Sequence, residues 1–185
     1  MRVISGIYKG RVLFSPKGNL IRPTSDRIKE SIFNYFGKDI RGSVVCDLFS
    51  GTGNLSIEAL SRGAERAVLV DNSRQAIELI YRNIDLIGLL EKSRIIKKDV
   101  LQYLKIAAKN KDEFDFIFAD PPYFSRLYEK MIGLIEEGNL LKKGGLFILE
   151  QSSQENISMV NQNLIKEAEK NFGDTSVIFY SQKGT

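Results

Sequence analysis

Val44-Val45-Cys46-Asp47-Leu48-Phe49-Ser50-Gly51-Thr52-Gly53 decides how the rest of the chain is read. A short apolar run with an acid inside it reads as a buried strand. It stops at two glycines spaced by one residue, where the backbone turns tightly and a ligand can approach it closely. Leu55, Ile57, Ala59 and Leu60 then follow as a helix over 53–62 that ends at Gly63. Free N–H groups at such a helix start attract a carboxylate or a phosphate. A strand, a glycine turn and a helix form the opening unit of a βαβ fold.

Working outward, the same rhythm repeats. Strands are expected at Ala67–Val70, Arg94–Lys97, Phe114–Ala119, Leu146–Leu149 (opened by Gly144-Gly145) and Ser176–Tyr180. Helices are expected over 73–87, with Gly88 as the stop, and over 100–109, 125–137 and about 154–170. Alternating strands and helices imply a mostly parallel sheet with helices on both faces. Such sheets bind ligands at the carboxyl ends of their strands, near the switch point in strand order.

Residues 1–41 break the rhythm. Arg2–Gly6 and Arg11–Phe14 flank Tyr8-Lys9-Gly10 as a hairpin. Pro23-Thr24-Ser25-Asp26 offers helix-start chemistry, and Ile28, Ile32, Phe33 and Phe36 recur at helical spacing before Gly37. This segment holds nine Lys/Arg and three acids, so it carries +6 within a chain of net +4. A basic front on a slightly acidic body points to an anionic partner. A solvated basic hairpin is the plainer alternative.

Composition excludes much else. The 185 residues are 43% apolar, enough for one core, and one domain is expected. There is no histidine and a single cysteine, Cys46, which is read as a buried strand residue. A Ser-His-Asp triad, a Cys-His pair, His-ligated zinc and an internal disulfide are therefore ruled out. No metal constellation is visible. No apolar run resembles a membrane span or a secretory signal, and a reducing cytoplasm is the expected compartment.

Two further acids complete the glycine turn. Asp71 stands 20 residues beyond Gly51 at a strand end, where it can accept hydrogen bonds from ribose hydroxyls. Asp47 stands just before the turn. It would repel a pyrophosphate but face an ammonium group. A dinucleotide site wants a third glycine where this chain has Ser56. S-adenosylmethionine, with a ribose and an amino-acid end, fits better. Phe49, Ser50, Gly51, Thr52 and Gly53 of the turn, and Asn72 beside Asp71, join the expected cofactor set. Asp99 can reach an adenine amino group, with Val100 offering a backbone N–H, or it can cap the helix over 100–109. Both roles can hold at once.

Phe118-Ala119-Asp120-Pro121-Pro122-Tyr123-Phe124 ends the fourth strand. Taken alone it is a strand terminator. At that position, with the glycine turn upstream, it also resembles a substrate device.

With these pieces in this order, the chain resembles the class I S-adenosylmethionine-dependent methyltransferases, and Asp-Pro-Pro-Tyr is similar to the motif of the members that methylate amines. Gly10-Arg11, Arg22-Pro23-Thr24-Ser25-Asp26-Arg27-Ile28-Lys29-Glu30, Phe33-Asn34 and Ile57-Glu58-Ala59-Leu60-Ser61-Arg62-Gly63-Ala64 look like the bacterial 16S ribosomal RNA guanine-N2 methyltransferase family. The resemblance covers nearly the whole chain. It departs mildly at Ser50-Gly51-Thr52-Gly53, where Ala-Gly-Ser-Gly is more usual, and at Asn72-Ser73, where another acid is common. It implies a Rossmann-like seven-stranded, mostly parallel sheet with an antiparallel last strand. It further implies one domain over 1–185, made of a front extension over 1–41 and a cofactor-binding core over 42–185.

The same resemblance implies that Asp120, counted also among the cofactor contacts, and the carbonyl of Pro121 hold the target amine, that Pro122 stiffens the turn, and that Tyr123 stacks on the base. It places Arg22, Thr24 and Arg27 over the cofactor pocket, and Lys9, Arg11, Lys17 and Arg27 toward RNA. For Arg22 and Arg27 structural salt bridging is the alternative. The implied partner is 16S ribosomal RNA or the 30S subunit, met by a monomer without membrane contact. A DNA or other RNA amino-methyltransferase acting on adenine N6 or cytosine N4, a non-catalytic RNA-binding module and a nicotinamide dehydrogenase remain as alternatives.

Overall fold

The computed structural model describes residues 1–15, 25–37, 40–123, 127–155 and 163–183. Seven strands form one sheet: β1 (Val44–Leu48), β2 (Arg66–Asp71), β3 (Ser93–Lys97), β4 (Phe114–Ala119), β5 (Leu141–Ser152), β6 (Leu164–Phe172) and β7 (Thr175–Gln182). Their order is β3-β2-β1-β4-β5-β7-β6. The first five are parallel, and β7 runs antiparallel to both β5 and β6. The order reverses between β1 and β4, so the switch point falls where the glycine turn and Asp120 leave the sheet.

Among the described residues, five α-helices accompany the sheet: α1 (Asp26–Phe36), α2 (Asn54–Ser61), α3 (Arg74–Ile87), α4 (Val100–Asn110) and α5 (Tyr128–Glu137). Caps set their ends. Ser25, Ser73 and Asp99 each accept from a backbone N–H in the first turn of α1, α3 and α4, a contribution of about 1 kcal/mol each. Two apolar layers follow from the period of two along the strands. Val45, Phe116, Phe118, Ile148, Val177 and Phe179 face α1, α2 and α3. Cys46, Leu48, Ile117, Ala119, Phe147, Leu149 and Ile178 face α4 and α5.

One expected element is corrected. The helix expected over about 154–170 is absent over its described C-terminal part, where β6 runs as an edge strand instead. Leu164-Ile165-Lys166-Glu167-Ala168-Glu169-Lys170 is rich in helix formers, but β6 buries little beyond Leu164 and pairs along its length with β7. Tertiary pairing overrides propensity here. The charges also fit an edge, where Lys and Glu discourage pairing with a further chain.

The basic front is stapled to the core by buried polar groups. Val3 N–H donates to Arg11 O and Gly10 N–H to Val3 O, closing the hairpin. Glu58 of α2, fully buried, accepts from Ile4 N–H at 2.8 Å, Ser5 N–H at 3.0 Å and Arg62 Nε at 2.8 Å. Asn83 of α3 clasps Phe14 through both its N–H and its carbonyl, and donates to Thr52 O at 3.0 Å. Lys29, with no exposure, donates to Arg2 O at 2.7 Å and Asn54 Oδ1 at 3.0 Å and pairs with Asp26. Gly6 has φ +83°, and a Cβ there would lie 1.9 Å from Ser61 O. Gly6→Ala is therefore expected to destabilise the chain by ~2 kcal/mol or more, read as a fall in melting temperature of roughly 4–8 °C.

Candidate functional site

A cleft of about 880 Å³ opens at the carboxyl ends of β1, β2, β4 and β5, beside the turn that joins β6 to the start of β7. This lies within the size range of small-molecule sites, roughly 300–1,000 Å³. Its floor on one side is the glycine turn. Phe49 adopts φ +61° and Gly51 and Gly53 adopt φ +55° and +75°. A bulky residue in this left-handed region stores strain, as backbones at ligand sites commonly do. Ser50 Oγ donates to Asp47 O at 2.6 Å and Gly53 N–H to Ser50 O at 2.8 Å, which fix the loop.

Asp47 is 3% exposed. Its Oδ2 accepts from Ser56 Oγ at 2.8 Å and Ser56 N–H at 3.3 Å. Ser56, the residue that breaks the dinucleotide motif, is thus the hydrogen-bond partner of the buried acid. Burial pushes the Asp47 carboxyl up from its ordinary 3.8 to about 7, against the pull of the Ser56 hydrogen bonds; the charges of Asp71 and Asp120 add to the rise. Asp71 Oδ2 accepts from Gly51 N–H at 2.9 Å and Oδ1 from Ser73 N–H at 2.8 Å. Each oxygen keeps a further lone pair for a ligand hydroxyl.

Across the cleft stand Asp120, Pro121, Pro122 and Tyr123, directly after β4. The Tyr123 hydroxyl lies 2.8 Å from Thr175 Oγ1 on β7, which holds the ring in place. α1 contributes Arg27 and Ile28, with Ser25 at its cap, and the β6–β7 turn contributes Phe172 and Gly173. The Arg27 guanidinium sits 5.6 Å from the centre of the Phe172 ring.

Of the residues singled out in the sequence, the cleft gathers Arg27, Asp47, Phe49, Ser50, Gly51, Thr52, Asp71, Asn72, Asp120, Pro121, Pro122 and Tyr123. Gly53 caps α2 immediately behind the turn. Asp99 caps α4 through Gln102 N–H at 3.0 Å, Val100 is buried under it, and neither lines the cleft. Lys9 and Arg11 are exposed on the front hairpin, away from the cleft. Lys17, Arg22, Thr24 and Phe124 lie outside the described residues. Sequence reading missed Asn54, Gln75, Glu150, Phe172 and Thr175 as cleft residues. Among the described residues no group of acids and cysteines is placed to hold a metal ion, and no helix is long and apolar enough to cross a membrane.

A model of the family described as conserved hypothetical protein 95 matches residues 1–181. The chain belongs to this family. It is 36% identical over 184 residues, all of both chains, to a Bacillus subtilis protein provisionally named rRNA methyltransferase YlbH. It is 33% identical to the ribosomal RNA small subunit methyltransferase D of Haemophilus influenzae, over 90% of this chain and 87% of that one. A solved Escherichia coli structure, provisionally named methyltransferase yhhF, superposes with a TM-score of 0.88 at 26% identity, covering 100% of this chain and 99% of the other.

The architecture is that of the class I S-adenosylmethionine-dependent methyltransferases, and the cleft fits that cofactor on its own chemistry. A carboxylate whose ionisation burial opposes gains from a cation seated against it. Gly51 leaves the cleft side of the turn without a side chain, Gly53 lets Leu69 and Ile80 pack against the turn from the core side, and Asp71 can accept from a ribose.

Proposed function

We propose that this chain methylates the exocyclic N2 amine of a guanine in 16S ribosomal RNA, on an assembled or partly assembled small subunit in the bacterial cytoplasm. One observation carries the reading: the glycine turn after β1 and Asp120-Pro121-Pro122-Tyr123 after β4 line a single cleft on adjacent strands. The names of its full-length relatives support an RNA substrate, as does the basic front.

Asp47, Asp71 and the turn from Phe49 to Gly53 would hold S-adenosylmethionine, with Asn72 beside them. When bound, that cofactor supplies an electrophilic sulfonium methyl group. The protein's task is to orient and activate the amine. The guanine N2 lone pair is delocalised into the ring, so the amine is a poor nucleophile. Asp120 and the Pro121 carbonyl accept from its two N–H groups and draw the nitrogen toward a tetrahedral shape. The paired prolines fix the backbone that carries both acceptors. Tyr123, anchored by Thr175, stacks on the base, a contact worth roughly 1–3 kcal/mol. The proton lost from the nitrogen passes to Asp120 or to water. Histidine is not needed.

The test is transfer of labelled methyl to 16S RNA and to small subunits that lack the modification, followed by nucleoside analysis and mapping. N2-methylguanosine at one position is expected. Methyladenine or methylcytosine, or no transfer, would overturn the reading. Lys9 and Arg11 are proposed to meet phosphates. Replacing both by Glu is expected to weaken RNA binding and to reduce the slope of log affinity against log salt by about 2. An unchanged slope would remove the hairpin from the RNA interface.

A further inference from the structure

Glu150 is one of the cleft residues that neither the motif nor the resemblance accounts for. It follows Leu149, which pairs with Ala119, so it stands beside Asp120 on the neighbouring parallel strand. Ala119 and Leu149 both face the layer under α4 and α5. By the period of two, Asp120 and Glu150 turn to the opposite face, toward the start of α1. Glu150 is paired with Val177, whose side chain lies on that same face. It lines the cleft although only 8% exposed.

The strand order then becomes a layout of the reaction. β1 carries the turn for the methyl donor, β4 carries the acceptors for the amine, and β5 carries Glu150 one strand spacing further out, about 4.8 Å. Beyond it, Thr175 on β7 and Phe172 close the slot. A flat base whose amine is held at Asp120, with the donor on one side, extends its ring over β5. The ring atom next to the amine on its pairing edge is the one that meets Glu150.

That atom separates the three bases that carry exocyclic amines. In guanine the neighbour of N2 is N1–H, a donor. In adenine the neighbour of N6 is N1, and in cytosine the neighbour of N4 is N3, and both are acceptors. We propose that Glu150 is the specificity residue of this site. It accepts from guanine N1–H and rejects adenine and cytosine, whose ring nitrogens would face a carboxylate. The inference rests on the guanine-N2 reading above and says how the site would enforce it. Two acceptors set face to face in a buried slot leave both unpaired, which discriminates against the wrong base.

The experiment uses the substrate RNA or reconstituted subunit with 2-aminopurine in place of the target guanine. This base keeps the 2-amino group but presents N1 as an acceptor. Wild-type protein is expected to methylate it with kcat/KM about 10²-fold below guanine. Glu150→Gln, close in shape, can donate its amide to that N1. Its amide oxygen can still accept from guanine N1–H, so it is expected to lose only about tenfold on guanine while gaining about tenfold over wild type on 2-aminopurine, and the preference for guanine collapses.

A guanine-to-2-aminopurine preference in Glu150→Gln equal to that of wild type, whatever the absolute rates, would overturn the proposal and leave Glu150 as a packing residue. If Glu150→Gln does not fold, judged by its melting curve, the wild-type ratio decides alone, and a ratio near one overturns the proposal. Wild type that makes no N2-methylguanosine from guanine sinks the underlying reading as well. Wild type that makes it but ignores the substitution sinks only this inference.

Discussion

Asp47→Asn is expected to lose S-adenosylmethionine binding by at least ~10²-fold and, at about pH 8, to raise the melting temperature of the free protein. Both effects have one cause. Burial raises the Asp47 carboxyl from 3.8 to about 7. The folded chain therefore holds this proton more tightly than the unfolded chain does. As pH rises from about 4 toward 7, the unfolded state releases the proton first, and folding stability falls. Above about 7 both states are ionised and the penalty is constant. A tenfold difference in proton affinity is worth about 1.4 kcal/mol, so the penalty is on the order of a few kcal/mol. Asparagine can still accept from Ser56 but carries no charge, so it escapes this cost. Its advantage is absent below about pH 4 and complete above about 7.

The same charge is what a cationic ligand end would use. A bound ammonium would lower the Asp47 pKa, so binding would release a proton where the free protein still holds one. Wild-type affinity is then expected to be level above about pH 7 and to fall below it by up to tenfold for each pH unit, while Asp47→Asn shows no such slope. Calorimetry across this range, paired with melting curves of the free proteins, checks both halves. A variant that binds as wild type does would remove Asp47 from the cofactor site.

The parallel half of the sheet was legible because its strands are continuous apolar runs and its helices keep a 3.6 period. The glycine turn and Asp120-Pro121-Pro122-Tyr123 were legible because special backbone needs special residues. What was hidden depends on pairing over long distances. β6 reads as a helix because its Lys, Glu and Ala face solvent at a sheet edge. Phe172 and Thr175 reach the cleft only because β7 folds back against β5. Glu150 looks like the polar end of an apolar strand until its register beside Asp120 is known. Nothing in the sequence marks Lys29 and Glu58, charged residues on helices, as buried. Both are fully buried because the front hairpin closes over them and gives each its partners. Ser56 looked like a defect in a nucleotide motif and is the partner of Asp47.

Asp120→Ala is expected to cut methyl transfer by about 10³-fold while S-adenosylmethionine affinity changes by less than roughly threefold. The separation follows from placement. Asp120 follows β4, whereas hydrogen bonds of Asp71, Ser50 and Ser56 brace the glycine turn after β1. Removing its side chain takes away one of the two acceptors proposed to draw the N2 lone pair out of the ring. The Pro121 carbonyl remains, so stacking and cofactor binding persist while the amine loses its activation. Asp120→Asn sharpens the test, because its amide oxygen still accepts from one N–H but cannot carry the released proton. It is expected to fall between wild type and alanine, with water taking the proton. Single-turnover rates at saturating cofactor, beside calorimetric affinities, separate the two effects. Alanine at wild-type rate would reduce Asp120 to a strand terminator. Loss of rate and cofactor affinity together would move Asp120 into the cofactor's own binding set and leave the Pro121 carbonyl alone to activate the amine.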